Sequence, residues 1–424
     1  MVNDNRRLSQ APSTRAVRHR IPGLTLIEHE LSAPLDHADP AGEQLTVFAR
    51  ELIGDARGAE SFPLLVFFQG GPGFEAPRTL HAPVPTTWTH RALREYRVLM
   101  LDQRGTGRST PVGGLDGLGA ADQAAYLTHL RADSIIRDAE LFRESFGVER
   151  WSVLGQSFGG FCVLAYLSMF PGSLREAFVC GGLPPIARPV DDVYSRTYRL
   201  VAERSRRYYE RYPEDRERVL TIHRRIGEGS IVLPTGEQLT SRRFRQLGNV
   251  LGMSDGAERL HSMLELPTAS PGFLHDVTDG TDFARNPLYA AVHESCYADG
   301  SVTAWSAERT LPGEFADVEL FTGEHVYPWM FGDYAALRPF REAAELVAQH
   351  PWPSLYDADR LAENEVPVAA IVYANDMYVP RDLSEETAGR VRTLRRWLTD
   401  EYEHDGLRAD GARILDRLIE LVRG

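Results

Sequence analysis

A mostly parallel α/β sheet, flanked by helices and interrupted by a helical insertion, is predicted by three features of this 424-residue chain. Short, continuous apolar runs recur along it. Glycines follow several of these runs, and a long stretch of helical periodicity separates the early runs from the final one. Continuous apolar strands are what a parallel sheet buried on both faces requires, with helices as the connections between parallel neighbours.

In chain order, LTLIEHELS and QLTVFAREL flank the turn-rich DHADPAGE and read as an antiparallel hairpin between Leu24 and Ile53. The apolar runs FPLLVFF (62–68), YRVLMLD (96–102), WSVLG (151–155), AFVCGG (177–182) and VPVAAIVYAND (366–376) read as buried strands. After WSVLGQS, the segment FGGFCVLAYLSMFPG is apolar on nearly every face and stops at Pro171-Gly172, as a buried helix would. From about 185 to 350 the chain turns rich in Arg, Glu and Tyr and is helical in period. A β-leaning TLRRWLTDEY follows the last apolar run. The chain then closes on a helix whose Ile414, Leu415, Leu418, Leu421 and Val422 form one stripe. A chain of this length exceeds one ordinary core. The division expected is a core in two parts, 1–184 and 351–424, with a helical cap at 185–350.

Bulk composition narrows the function. The hydrophobic content of 43% supports a real core, and 25% charged residues is ordinary for a globular protein. A net charge of -13 argues against nucleic acid, whose binders need a basic face. Cys162, Cys180 and Cys296 are too few and too scattered for a disulfide framework or a zinc site, which points to a reducing compartment. The first twenty residues are polar and charged, without the apolar core of a secretory signal. No run approaches the roughly 20 apolar residues that cross a bilayer. A cytoplasmic protein without membrane attachment is expected, and neither a metal nor an organic cofactor is suggested.

Residues Gly155-Gln156-Ser157-Phe158-Gly159 match the G-x-S-x-G nucleophile elbow, and they lie between a strand and a helix as that motif demands. Glycines around the serine remove bulk where strand and helix nearly collide, so Ser157 can stand clear of the sheet. A plain tight turn is the alternative, and the strand and helix context argues against it. A serine hydroxyl needs a base to take its proton, and the base needs a carboxylate to hold its tautomer. His404 is the histidine that follows the last strand candidate, in the polar loop EYEHDGLR. Asp376 follows the apolar run VPVAAIVYA, where a strand end would present a side chain. Its rivals Asp382, Glu385 and Glu386 look like exposed charges at a helix start. Acyl transfer also needs N–H groups aimed at the developing oxyanion. Gln69-Gly70-Gly71-Pro72-Gly73 follows a strand where such a loop belongs, so the N–H groups of Gly71 and Phe158 are the expected donors.

Taken together, QGGPG, LDQRGTGRS and GQSFGG resemble the prolyl aminopeptidase (proline iminopeptidase) family of α/β-hydrolases. The run Asp102-Gln103-Arg104-Gly105-Thr106-Gly107-Arg108-Ser109 is the most specific match, with an expected role in tying its loop under the oxyanion loop. Further segments, HESCY (293–297), GEHVYPWMF (323–331) and EHDGLR (403–408), resemble the longer bacterial members. One departure is Gln69, where many members carry histidine. The resemblance implies an α/β-hydrolase fold with an inserted cap, and a serine peptidase that releases an N-terminal residue, preferentially proline. It also implies that acidic cap residues, by position Glu294 and Glu324, hold the free amino terminus of a small peptide or aminoacyl substrate. An esterase or amidase of the same fold is the alternative activity. A non-catalytic binding protein is a third reading, disfavoured because all three triad candidates occur in order. The sequence leaves oligomeric state open.

Overall fold

The computed structural model describes residues 15–424. Most of the polar stretch discussed above, residues 1–14, lies outside the described residues. A nine-stranded sheet forms the centre: β1 (Arg15–Ile21), β2 (Leu24–Pro34), β3 (Gln44–Gly54), β4 (Leu64–Phe68), β5 (Arg97–Leu101), β6 (Trp151–Gln156), β7 (Leu174–Cys180), β8 (Val368–Tyr373) and β9 (Leu394–Thr399). Their spatial order is β1-β2-β3-β5-β4-β6-β7-β8-β9. From β5 to β9 every pairing is parallel, while β1, β2 and β3 form an antiparallel meander joined to β5.

The apolar runs behave as a doubly covered sheet requires. Alternate residues of β4 point to opposite faces: Leu64, Val66 and Phe68 enter one core, Leu65 and Phe67 the other. In β8, Val368, Ala370 and Val372 likewise part from Ala369, Ile371 and Tyr373. The first core is shared with helices Ala132–Ser145 and Phe158–Met169 and with the 185–350 segment. The second is closed by helix Gly411–Arg423, which buries Ile414, Leu415, Leu418 and Ile419, with Leu421 and Val422 partly covered beside them.

Between β7 and β8 the chain adds no strand to this sheet. It runs through helices that include Val190–Arg211, Asp215–Gly227, Gly256–Leu264 and Pro287–Val292. The element that sequence reading missed is β1, which pairs with β2 from Arg15 opposite Glu30 to Ile21 opposite Leu24. Its RAVRHRI places charge on an edge strand, where water and not a core meets most of the side chains.

Candidate active site

Parallel strands deliver the chain segments that follow them to one edge of the sheet. The QGGPG loop leaves β4, Ser157 leaves β6, Asp376 lies beyond β8 and His404 beyond β9. The turn at Ser157 is sharp. This residue adopts φ 55° and ψ −126°, a conformation that costs a non-glycine residue about 1–3 kcal/mol and persists only where neighbours enforce it. Ser157 N–H donates to the Cys180 carbonyl at 2.8 Å, and the Gly160 N–H donates to the Ser157 carbonyl at 2.7 Å. A Cβ at Gly155 would lie 2.1 Å from the Gly159 carbonyl oxygen, and one at Gly159 would lie 1.9 Å from that of Phe68. Neither position can carry a side chain without moving backbone.

Three side chains from three loops then meet. His404 Nε2 lies 2.9 Å from Ser157 Oγ, and His404 Nδ1 lies 2.7 Å from Asp376 Oδ2. The other carboxylate oxygen of Asp376 accepts the N–H groups of Tyr378 at 2.8 Å and Val379 at 3.1 Å, which fixes its plane. His404 is buried, and its ring packs against that of Tyr378 at 4.7 Å. Burial alone would lower the His404 pKa. The attraction and hydrogen bond of Asp376, helped by the charges of Glu324 and Asp405, outweigh it and leave the value raised. The rivals are elsewhere: Asp382 pairs with Arg196, Glu385 with Arg381, and Glu386 with Arg188 and Arg390.

A cavity of about 1000 Å³ opens over these groups, lined among others by Gly70, Gly71, Ser157, Tyr289, Glu324 and His404. Gly70 approaches Ser157 so closely that a Cβ on it would sit 3.0 Å from the serine Cβ. Phe158 opens its helix, so its N–H has no intrahelical acceptor. The loop is held at both ends by the DQRG segment. Gln103 Nε2 donates to the Gln69 carbonyl at 2.8 Å, and Asp102 Oδ1 accepts the Ala76 N–H at 3.2 Å. Arg104, fully buried, anchors that segment through a two-pronged contact with Asp138 at 2.7 and 2.6 Å.

The two insertion glutamates part company. Glu324 lines the cavity and accepts the Tyr289 hydroxyl at 2.7 Å. Its neighbour His325 lies between Thr197 Oγ1, 3.0 Å away, and the ring of Tyr198, stacked at 4.0 Å. Burial pushes the His325 pKa down to about 3, so this imidazole is neutral and leaves the Glu324 charge uncompensated. Glu294, also expected at the substrate amine, is not among the residues that line this cavity. Its carboxylate accepts the N–H groups of Ser306 at 3.2 Å and Ala307 at 2.8 Å, because a buried carboxylate needs donors and the start of helix Ser306–Arg309 offers them. Burial raises its pKa to about 7. Among the described residues, no group of three or more His, Cys, Asp or Glu is placed to hold a metal ion.

Comparisons with known proteins bear on the family and the fold. A model of the alpha/beta hydrolase fold matches residues 63–407. A proline iminopeptidase of Aeromonas sobria is 45% identical over 417 residues, covering 95% of this chain and 97% of that protein. The chain belongs to the proline iminopeptidase family of α/β-hydrolases. The proline iminopeptidase aneH of Aspergillus aculeatus is 33% identical over 93% of each chain. A proline iminopeptidase of Xylella fastidiosa is 32% identical over 120 residues, 28% of this chain and 31% of that one. In this proline iminopeptidase relative, sequence reasoning missed Tyr289 and Tyr378. Tyr378 follows Asp376 by two residues, and that proximity was its available signal. Tyr289 sits in helix Pro287–Val292 with no motif around it.

Proposed function

We propose that the chain hydrolyses the bond after an N-terminal residue, preferentially proline, through an acyl-enzyme on Ser157. The observation that carries this reading is the hydrogen-bonded series Asp376–His404–Ser157, opening into a cavity that Glu324 also lines. His404 Nε2 accepts the Ser157 hydroxyl proton as Oγ attacks the scissile carbonyl carbon. Asp376 holds the proton on Nδ1, so Nε2 is the basic nitrogen, and it stabilises the imidazolium that forms. The Gly71 and Phe158 N–H groups receive the oxyanion. His404 next gives its proton to the leaving amine. Water then attacks the acyl-enzyme with the same base, releasing the N-terminal residue and restoring Ser157.

The aminopeptidase character rests on Glu324. A free amino terminus is cationic near neutral pH, and burying it unpaired would cost several kcal/mol. Glu324 supplies the opposite charge, oriented by Tyr289, and a blocked amino terminus would leave that carboxylate unpaired. Glu294 caps Ser306–Arg309 and, on this reading, does not itself meet the substrate. The cavity is large enough for a prolyl residue together with part of a small leaving peptide. A reducing, intracellular setting is part of the same reading, supported by three cysteines that are all unpaired and buried.

The test combines a fluorophosphonate probe with a panel of aminoacyl β-naphthylamides and their N-acetyl forms. The expected result is an adduct mapped to Ser157 and rapid turnover of the free prolyl amide. Absence of the adduct, or efficient cleavage of N-acetylprolyl amides, refutes the proposal.

A further inference from the structure

Helix Val190–Arg211 belongs to the insertion, yet its C-terminal half reaches the loops that carry the acid and the base. Arg204 Nη2 donates to the Asn375 carbonyl at 2.7 Å and also to the Glu403 carboxylate. Asn375 immediately precedes Asp376, and Glu403 immediately precedes His404. One guanidinium nitrogen therefore ties together the two loops whose spacing sets the 2.7 Å contact between Asp376 and His404. The Arg204 side chain is 16% exposed, so it is withdrawn from water and its geometry is restricted. The same helix is pinned to the core by Arg196, paired with Asp382 at 2.7 Å, and to the amine wall by Thr197 and Tyr198 against His325.

We infer that Arg204 is a positioning residue through which the insertion sets the alignment of Asp376 and His404. The inference rests on the triad assignment made above. Displacing a reacting group by about 1 Å can cost on the order of 100-fold in rate, so a clamp one residue away from both partners has leverage on turnover. It has no comparable leverage on ammonium recognition, which Glu324 performs.

The charge of Arg204 matters as well as its reach. His404 faces Asp376, Glu324 and Asp405, with the rings of Tyr373 and Tyr378 against it, while Glu403 faces Arg204, Asp376 and Asp405. Burial raises the Glu403 pKa and Arg204 opposes that rise, so without Arg204 the Glu403 carboxylate, where ionised, adds an uncompensated negative charge to this group. That charge would favour protonated His404, and a base that is protonated is inactive, so the acid limb of kcat/KM would move to higher pH.

The experiment measures Arg204→Ala, Arg204→Gln and the pair Arg204→Ala with Glu403→Gln in the full chain, on proline-β-naphthylamide and p-nitrophenyl acetate across pH. Arg204→Ala is expected to lower kcat by about 10- to 100-fold on both substrates, with KM within about threefold and the acid limb raised. Adding Glu403→Gln should return the acid limb to its wild-type position while kcat stays low, because Asn375 still lacks its donor. Arg204→Gln keeps an N–H for that carbonyl, so it should lose less kcat yet show the same raised limb. A kcat within about twofold of wild type, a loss confined to KM, or an unmoved limb overturns the inference. Where Arg204→Ala does not fold, Arg204→Gln decides by the same criteria. A fluorophosphonate adduct mapped to wild-type Ser157 tests the triad separately, so the two readings fail independently.

Discussion

Replacing Glu324 by Gln removes one negative charge while keeping side-chain volume and an oxygen able to accept the Tyr289 hydroxyl. In the structure that hydroxyl occupies Oε1 at 2.7 Å, which leaves Oε2 for the proposed contact with the substrate ammonium. In the variant the remaining position is an NH₂ group, a donor facing a donor. A hydrogen bond to a charged group contributes about 1.5–3 kcal/mol, and about 1.4 kcal/mol corresponds to tenfold. The loss in kcat/KM on proline-β-naphthylamide is therefore expected to be about 10- to 150-fold. p-Nitrophenyl acetate has no ammonium, and its hydrolysis near pH 8 should be almost unchanged.

The same variant has a second consequence, of defined sign. The Glu324 charge is one of the groups that raise the His404 pKa. Removing it lowers that pKa, so more of the base is free at acidic pH. The acid limb of kcat/KM for p-nitrophenyl acetate should shift downward, making the variant more active than wild type below the wild-type limb. Equal loss on both substrates with an unmoved limb would place Glu324 in packing through Tyr289 and refute the reasoning.

Ser157→Ala should lose about a million-fold in kcat and all fluorophosphonate labelling while keeping its circular dichroism spectrum. Asp376→Asn should cost about 10⁴-fold with little change in KM, because the amide favours the wrong imidazole tautomer, and active-site titration with the two substrates checks it. Gly159→Ala should destabilise the fold and abolish labelling together, since its Cβ would meet the Phe68 carbonyl at 1.9 Å, and thermal unfolding reads the first effect. Glu294, with a pKa raised from 4.5 to about 7 by burial, contributes stability that is fully present below its unfolded pKa and is lost as pH rises through the folded one. Relative to Glu294→Gln, wild-type stability should thus fall by up to about 3 kcal/mol between pH 4.5 and 7 and then level off, as denaturant unfolding at several pH values would show.

The core was legible because its signals are local. The parallel strands read from apolar runs are there because a doubly buried strand must be apolar throughout, and the elbow declares itself within five residues. His404 and Asp376 could be chosen because strand ends in a parallel sheet converge on one edge, so chain order stands in for distance. β1 escaped notice because an edge strand half in water needs no apolar run, and its RAVRHRI has none.

The insertion offers no such rule. Tyr289 and Glu324 are separated by 35 residues, and Arg204 by 171 and 199 from the groups it joins. Their meeting depends on how several helices pack, which no spacing encodes. The two glutamates make the point most sharply. Both lie in the insertion, yet half-buried Glu324 lines the cavity over the reacting groups while buried Glu294 caps a four-residue helix. What separates them is the supply of donors. Backbone N–H groups satisfy Glu294, whereas Glu324 has a single neutral hydroxyl and two imidazoles, His293 and His325, that burial keeps from gaining charge. A carboxylate left with unfilled acceptor capacity in a cavity is the one able to take a cation. Charge compensation, and not position along the chain, is therefore the ground on which Glu324 is proposed to recognise the substrate.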